Sequence, residues 1–293
     1  MATTTAVEPR ATPTRRRTRS GGPSRGPYAW VWGLIAWAFG LLFVIPVLWM
    51  VLTSLHSESD AATNPPSIGA PLTTSGYSEF FNSDPWPWMI NSATAAIGST
   101  LLVLALATPA AYALSIRPVR KWTDVMFFFL STKFLPMVAA LLPVYLIAKN
   151  LGLLDNIVAL ILVYAAMNLP IAVWMMRSFL AEVPKEIVEA AELDGARLHT
   201  LLLRIIMPVT APGLAATSLI CFIFAWNELI FARVLTSTVA GTAPVFLTGF
   251  ITSEGLFLAK LCAASMVVSL PVIIAGFAAQ DKLVQGLSMG AVK

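Results

Sequence analysis

Apolar residues fill this chain in six long blocks, at about 29–55, 89–115, 124–148, 156–180, 209–235 and 258–282, with short polar stretches between them. Each block is long enough for the ~20 mostly apolar residues that a helix needs to cross a bilayer. The pattern therefore predicts an all-α polytopic membrane protein with six transmembrane helices and no room for a sizeable soluble domain. The first block is too long for a cleaved secretory signal, and no small-residue cleavage site follows it, so it is expected to remain as a span. No segment repeats at a period of roughly 20–50 residues, which argues against a solenoid.

One stretch breaks the apolar pattern. EIVEAAELDGARLHTLLLRIIMP, Glu186 to Pro208, lies between the fourth and fifth blocks. Pro184 suits a first helical turn, and Glu186 places negative charge at the positive end of a helix. Ile187, Ala190, Ala191 and Asp194 share one face by helical spacing. Gly195 then supplies a left-handed cap. In a second helix, Leu198, Leu201, Leu202 and Ile205 line one side, and Arg197 and Arg204 the other. The segment 184–208 is thus expected to be helix, sharp turn and helix at the membrane surface. A helix lying on lipid is usually rich in lysine, with large apolar residues on one face. This first helix is acidic and small-faced, which suits a protein partner better. Glu189 and Glu192 can pair with basic groups on such a partner.

Composition supports the membrane reading: 57% of the 293 residues are hydrophobic and 12% charged, where soluble domains are about 25% charged. Six arginines and several Pro, Gly and Thr residues fill the first 28 positions. That segment cannot bury a core and is expected to be a disordered basic tail. Its charge reads as an orientation signal and lipid contact rather than a nucleic-acid site. Lysine and arginine mark the cytoplasmic side of short loops. They gather in the tail, at Arg117, Arg120 and Lys121, and at Lys185, Arg197 and Arg204. Residues 56–88 have none, but carry Glu58, Asp60, Glu79 and Asp84. Six spans with both termini and the 184–208 insert in the cytoplasm fit this distribution. Cys221 and Cys262 fall inside spans and read as small packing residues; with His56 and His199 the only histidines, a metal cluster is not expected.

Within the spans, polar side chains are costly and face the protein interior or a pathway. Lys133 is nine residues into the third block, about 14 Å along a continuous helix. Asn168 lies near the middle of the fourth, beside Pro170, which is expected to disturb that helix. Trp226, Asn227 and Glu228 fall in the outer half of the fifth. Together Lys133, Asn168, Trp226, Asn227 and Glu228 offer hydrogen bonds and an aromatic platform to a small polar solute. The competing reading is that Lys133 and Glu228 neutralise each other or bond backbone at helix breaks. Trp174, Tyr145 and Tyr164 are lesser candidates. Trp86 and Trp88 suit a helix end anchored in the membrane interface, or contact with a partner outside.

Glu189-Ala190-Ala191, three residues, Gly195, nine residues, Ile205, one residue and Met207-Pro208 together resemble the E-A-A loop of binding-protein-dependent ABC importers. Met207 replaces the usual leucine. FIFAWNELIFA (Phe222–Ala232) looks like the fifth span of maltose-type carbohydrate permeases, and LVQGLSMGAVK resembles their C-terminus. FLSTKFLPMVAALLPVYLIAKNLGLLDN is most similar to the sorbitol/mannitol branch. The likeness extends over nearly all of residues 29–293. It implies a type I ABC importer permease in a bacterial cytoplasmic membrane. In that family the E-A-A helix is a coupling helix that docks on a separate ATPase. Carried over, Glu189, Ala190 and Ala191 form the docking surface, Gly195 the turn, and Ile205 and Pro208 complete the motif. The chain has no GxxxxGK[ST] motif and is expected to be a transport subunit rather than an enzyme. ATP and Mg would bind the partner ATPase dimer. A second permease chain and an extracellular solute-binding lipoprotein complete the assembly. A stand-alone secondary transporter or channel is the alternative, but it would call for inverted repeats and paired carboxylates, and neither is present in the sequence.

Overall fold

The structure, a computed structural model, describes residues 28–63, 68–117, 119–252 and 255–291. The basic tail expected over residues 1–28 lies outside the described residues except for Tyr28. Helix α1 (Ala29–Ser54) opens the chain. The first of two compact units ends at Leu48. Within it, large apolar side chains such as Leu34, Phe39 and Phe43 are exposed, as expected of a helix whose surroundings are lipid or other protein.

The second unit, Trp49–Lys293, begins with short helices α2 (Glu58–Ala61) and α3 (Ser75–Asn82) and then α4 (Trp86–Ser115). Next come α5 (Trp122–Thr132), α6 (Met137–Asn150), α7 (Ile157–Leu180) and α8 (Lys185–Leu193). Helix α9 (Leu198–Thr200) runs through a π-helical turn (Leu201–Ile206) into α10 (Met207–Val209) and α11 (Ala211–Trp226). Helices α12 (Ile230–Leu235), α13 (Ala243–Leu247) and α14 (Leu258–Ala291) follow. The sole sheet among the described residues is a two-residue antiparallel rung, β1 (Ile251–Thr252) on β2 (Gly255–Leu256).

Among the described residues four helices are long and apolar enough to cross a membrane, and six spans result if each of two bent pairs counts as one. Spans three and five thus differ from the continuous helices that hydropathy predicts. Helices α5 and α6 meet at 89°. Pro136 caps α6 in an extended conformation, where its ring and missing N–H prevent α5 from continuing. The segment Leu198–Val209 meets α11 at 86°, between Pro208 and Pro212. Span five breaks again after Trp226, and α12 starts after three intervening residues. Pro170, by contrast, does not interrupt α7.

Helices α4 and α7 pair along their length. The buried face of α4 is small: Ser92, Ala95, Ala96, Ser99, Val103, Ala107 and Ala111. Facing it on α7 are Ala159, Ala165, Ala172 and Val173. Between membrane helices, small residues let backbones approach and gain dispersion contact that lipid cannot offer. Gly213 serves the same end, because a Cβ there would stand 2.2 Å from the Phe179 ring. Several hydroxyls within the helices are satisfied locally; Thr217, for example, donates to the Gly213 carbonyl at 2.8 Å, whereas those of Thr100 and Thr108 in α4 have no partner among the described residues.

One end of this unit is held by polar contacts across long sequence separations. The Asp155 carboxylate accepts N–H groups from Ser237 (2.8 Å), Thr238 (3.1 Å), Val239 (3.0 Å) and Ala240 (2.9 Å). Burial alone would raise this carboxyl, but the four amides outweigh it and hold it at about 2. Asn91 donates to the carbonyls of Val239 (2.8 Å) and Gly241 (3.0 Å). Ser92 accepts from the Ala243 N–H at 2.8 Å. Glu58 accepts the first amides of α14, from Ala259 (3.2 Å) and Lys260 (2.8 Å), and Lys260 pairs with Glu79. Trp88 packs over Gly241, where a Cβ would meet its ring at 2.1 Å. It is therefore a packing residue of this loop end rather than a free interfacial side chain.

Candidate functional site

The α8 segment occupies the opposite end. Lys185–Leu193 is helical with Pro184 as its N-cap, one position before the first turn expected for it. Gly195 follows with φ +74°, the left-handed conformation in which a residue with a Cβ is strained. No atom stands near its missing Cβ, so conformation rather than crowding calls for glycine here.

The helix is two-faced, but not along the line that the spacing predicts. Val188 and Ala191 are buried in a cluster with Ala111, Tyr112, Met176, Leu180, Leu201 and Ile206. Ala191 thus faces its own bundle and not outward with Glu189 and Ala190. Successive helix residues point about 100° apart, so three adjacent positions cannot all face one partner. The outer face carries Ile187, Glu189, Ala190 and Leu193, the last 89% exposed. Glu192, expected to meet a partner's basic group, instead pairs with Arg117 of this chain. In the second helix Leu201 and Ile206 are buried, Ile205 and Leu202 partly so, and Leu198 is exposed. Pro208 is exposed near the bend into α11. Val188 and Leu193 escaped notice in the sequence, where Arg117 was read only as a loop charge; helical spacing finds both, since Val188 lies three before Ala191 and Leu193 four after Glu189.

The second set of candidates meets at a cavity of about 390 Å³. Lys133, Asn168, Asn227 and Glu228 line it, together with Tyr164, Met137 and Phe224. Lys133 caps the end of α5, so it stands at the break of span three and not nine residues along an unbroken helix. Its backbone N–H donates to the Leu130 carbonyl at 3.0 Å, but among the described residues its ammonium has neither an ion-pair nor a hydrogen-bond partner. It therefore neither neutralises Glu228 nor bonds the carbonyls freed at the helix end.

Glu228 is buried and accepts the N–H groups of Phe231 (2.8 Å) and Ala232 (3.0 Å). Its two oxygens thus cap α12 across the break after α11. Asn168 is buried and reaches the Cys221 carbonyl only at 3.5 Å. Asn227 donates to the Ile223 carbonyl at 2.9 Å. The Tyr164 hydroxyl is buried and closes no hydrogen bond of normal length among the described residues. Trp226 lies behind the cavity wall rather than on it: its ring is buried and donates to the Val268 carbonyl at 3.1 Å. It is a structural strut and not the open aromatic platform that the sequence suggests. Tyr145 packs partly buried in the same cluster, and Trp174 is exposed on α7.

The family described as binding-protein-dependent transport system inner membrane component matches residues 27–288. A probable ABC transporter permease protein, y4oR of Sinorhizobium fredii, is 38% identical over 275 residues, covering 94% of this chain and 99% of that protein. The diacetylchitobiose uptake system permease protein DasC of Streptomyces coelicolor is 32% identical over 257 residues, covering 87% and 92%. Among solved structures, a bacterial ABC transporter involved in the import of the acidic polysaccharide alginate superposes with a TM-score of 0.72 at 23% identity, over 89% of this chain and 98% of that one; it speaks for the fold alone. These relatives are transport subunits rather than enzymes. With nearly its whole length matched, the chain belongs to the binding-protein-dependent transport system inner membrane component family.

Proposed function

We propose that this chain is the permease subunit of an ATP-driven importer that brings a carbohydrate, a sugar or polyol, across the bacterial cytoplasmic membrane. The observation that carries this reading is α8. It is a short helix with one face packed on its own bundle through Val188 and Ala191, and an outer face with Glu189, Ala190 and Leu193 free. A helix seated in this way passes force from a partner to α4 and α7 behind it. Glu189 and Ala190 are the docking surface, with Leu193 joining them. Ala191 anchors the helix, Gly195 sets the angle of the following turn, and Ile205 and Pro208 carry the motion into span five. An ATPase dimer supplies that motion and binds ATP and Mg. A second permease chain completes the pathway, and an extracellular solute-binding lipoprotein delivers the cargo at the loop end. The positive charge at Arg117, Arg120, Lys121 and Arg197 puts the α8 end in the cytoplasm, with both termini. The carbohydrate cargo is supported by the resemblance of Phe222–Ala232 to maltose-type permeases and by the diacetylchitobiose relative.

Glu189→Lys reverses a charge at the docking face without touching the packed one. In vesicles holding the assembled importer, solute uptake is expected to fall at least about tenfold, because a misplaced interfacial charge costs more than 1.4 kcal/mol. ATP hydrolysis is expected to persist. Unchanged uptake would remove α8 from the mechanism.

A further inference from the structure

The geometry points to a binding site for the phosphate headgroup of an anionic phospholipid at the α8 end of the bundle, where Arg177 lies over Trp122. Such a site depends only on the membrane setting of the chain and holds whichever solute passes through it.

Arg177 stands in the last turn of α7. Its guanidinium carbon is 3.9 Å from the centre of the Trp122 ring, at the start of α5. Its Nε is buried there without a hydrogen-bond partner, so the ring is what holds it. A stack of this kind fixes the plane of a guanidinium and leaves free the edge that carries its terminal donors. That edge matches a phosphate through two parallel hydrogen bonds. Arg120 and Lys121 come immediately before Trp122 and are exposed. Of the nearest acids along the chain, Glu182 borders a crevice with Gly213 of α11, and Asp124 is exposed and pairs with none of the three cations.

Three features favour a lipid over a soluble anion or an acidic protein chain. Trp174 precedes Arg177 by three residues and so shares its face of α7. It lies about 4.5 Å deeper along the helix and is 48% exposed. A tryptophan ring at headgroup level with a cation on its water side is the arrangement of a membrane interface. Acidic headgroups also settle in basic pockets between membrane helices, and here the stack ties α5 to α7. Finally, the stack, the donors and the second ring all come from this one chain, so no other subunit has to complete the site.

The test uses the complete assembly as it purifies, released from lipid nanodiscs that hold equal amounts of phosphatidylglycerol and phosphatidylcholine. Native mass spectrometry then counts the lipids that stay bound. The wild type is expected to retain phosphatidylglycerol in excess. Arg177→Gln should lower the ratio of the two lipids about fivefold, the weight of a single cation near an acidic lipid surface. Arg233→Gln, which removes an exposed cation at the loop end, should leave the ratio as it is. In the wild type, a phosphatidylglycerol with a diazirine beside its phosphate should label residues 120–122 or 174–178, a readout that needs no variant to fold. An unchanged ratio in Arg177→Gln would overturn the site, as would labelling confined to other segments. An equal fall in both variants would overturn it too, because positive charge at any position would then suffice. So would an Arg177→Gln variant that sheds another subunit while its lipid ratio stays, since the cation would then answer an acid of that subunit.

Discussion

The two ends of the Trp49–Lys293 unit are held by different physics. At the loop end, Asp155, Asn91, Ser92 and Glu58 reach backbone groups far along the chain, each bond fixing a distance and an angle. At the α8 end, Val188 and Ala191 rest in an apolar cluster, and one ion pair, Arg117 with Glu192, crosses the gap. Apolar contact is non-directional, so a helix held that way tilts without losing its attachment, whereas a loop pinned by four amides does not. The contrast teaches that this unit is stiff where the chain must keep a shape and compliant where a short helix must receive a push.

The sharpest way to break that contrast is Asp155→Ala. It removes the acceptor of four amides and places a residue less tolerant of positive φ at a position with φ 52°. Stability is expected to drop by about 2 kcal/mol, within the range for hydrogen bonds to a charged group, and amide exchange at 237–240 should accelerate while that of α8 does not change.

Acid should act at the same place, later than usual. The Asp155 carboxyl is held at about 2 when folded, below its ordinary value. Its contribution is therefore fully present above pH ~4 and disappears as pH falls through about 2. Protection of the 237–240 amides is expected to be flat from pH 7 to 4 and to decline below 3; loss of protection near pH 5 would mean that another group holds the loop.

The smallest effect belongs to the other end. Arg117 and Glu192 are 63% and 36% exposed, and water screens such a pair, so Arg117→Ala should cost under about 1 kcal/mol in a thermal unfolding measurement. A larger loss would show that the α8 end is pinned as tightly as the loop end.

How much of this was legible in the sequence varied with the range of the interaction. The α8 turn was readable because it is local: Gly195 lies four residues after Ala191, and its left-handed φ follows from that spacing. Spans two, four and six were readable because they are long and uninterrupted. The break in span three was not, since Phe134 and Leu135 keep the hydropathy of a membrane helix through the bend and only Pro136 marks it; nor was the break after Trp226 in span five, although the bend at Pro208 fell where the second helix was expected to end. The position of Lys133 was lost with the break in span three. Asp155 could not be found at all, because its partners lie more than eighty positions downstream and are backbone amides, which any residue supplies. The motif match also treated Glu189, Ala190 and Ala191 as one surface, and the helix turns Ala191 inward.

The capping of α12 by Glu228 has an energetic consequence. Its two oxygens close the amides of Phe231 and Ala232 just past the point where α11 ends. Glu228→Ala would strand both donors in a buried place, at a cost of about 1–3 kcal/mol for each. A single side chain thereby decides where the chain resumes its course after Trp226.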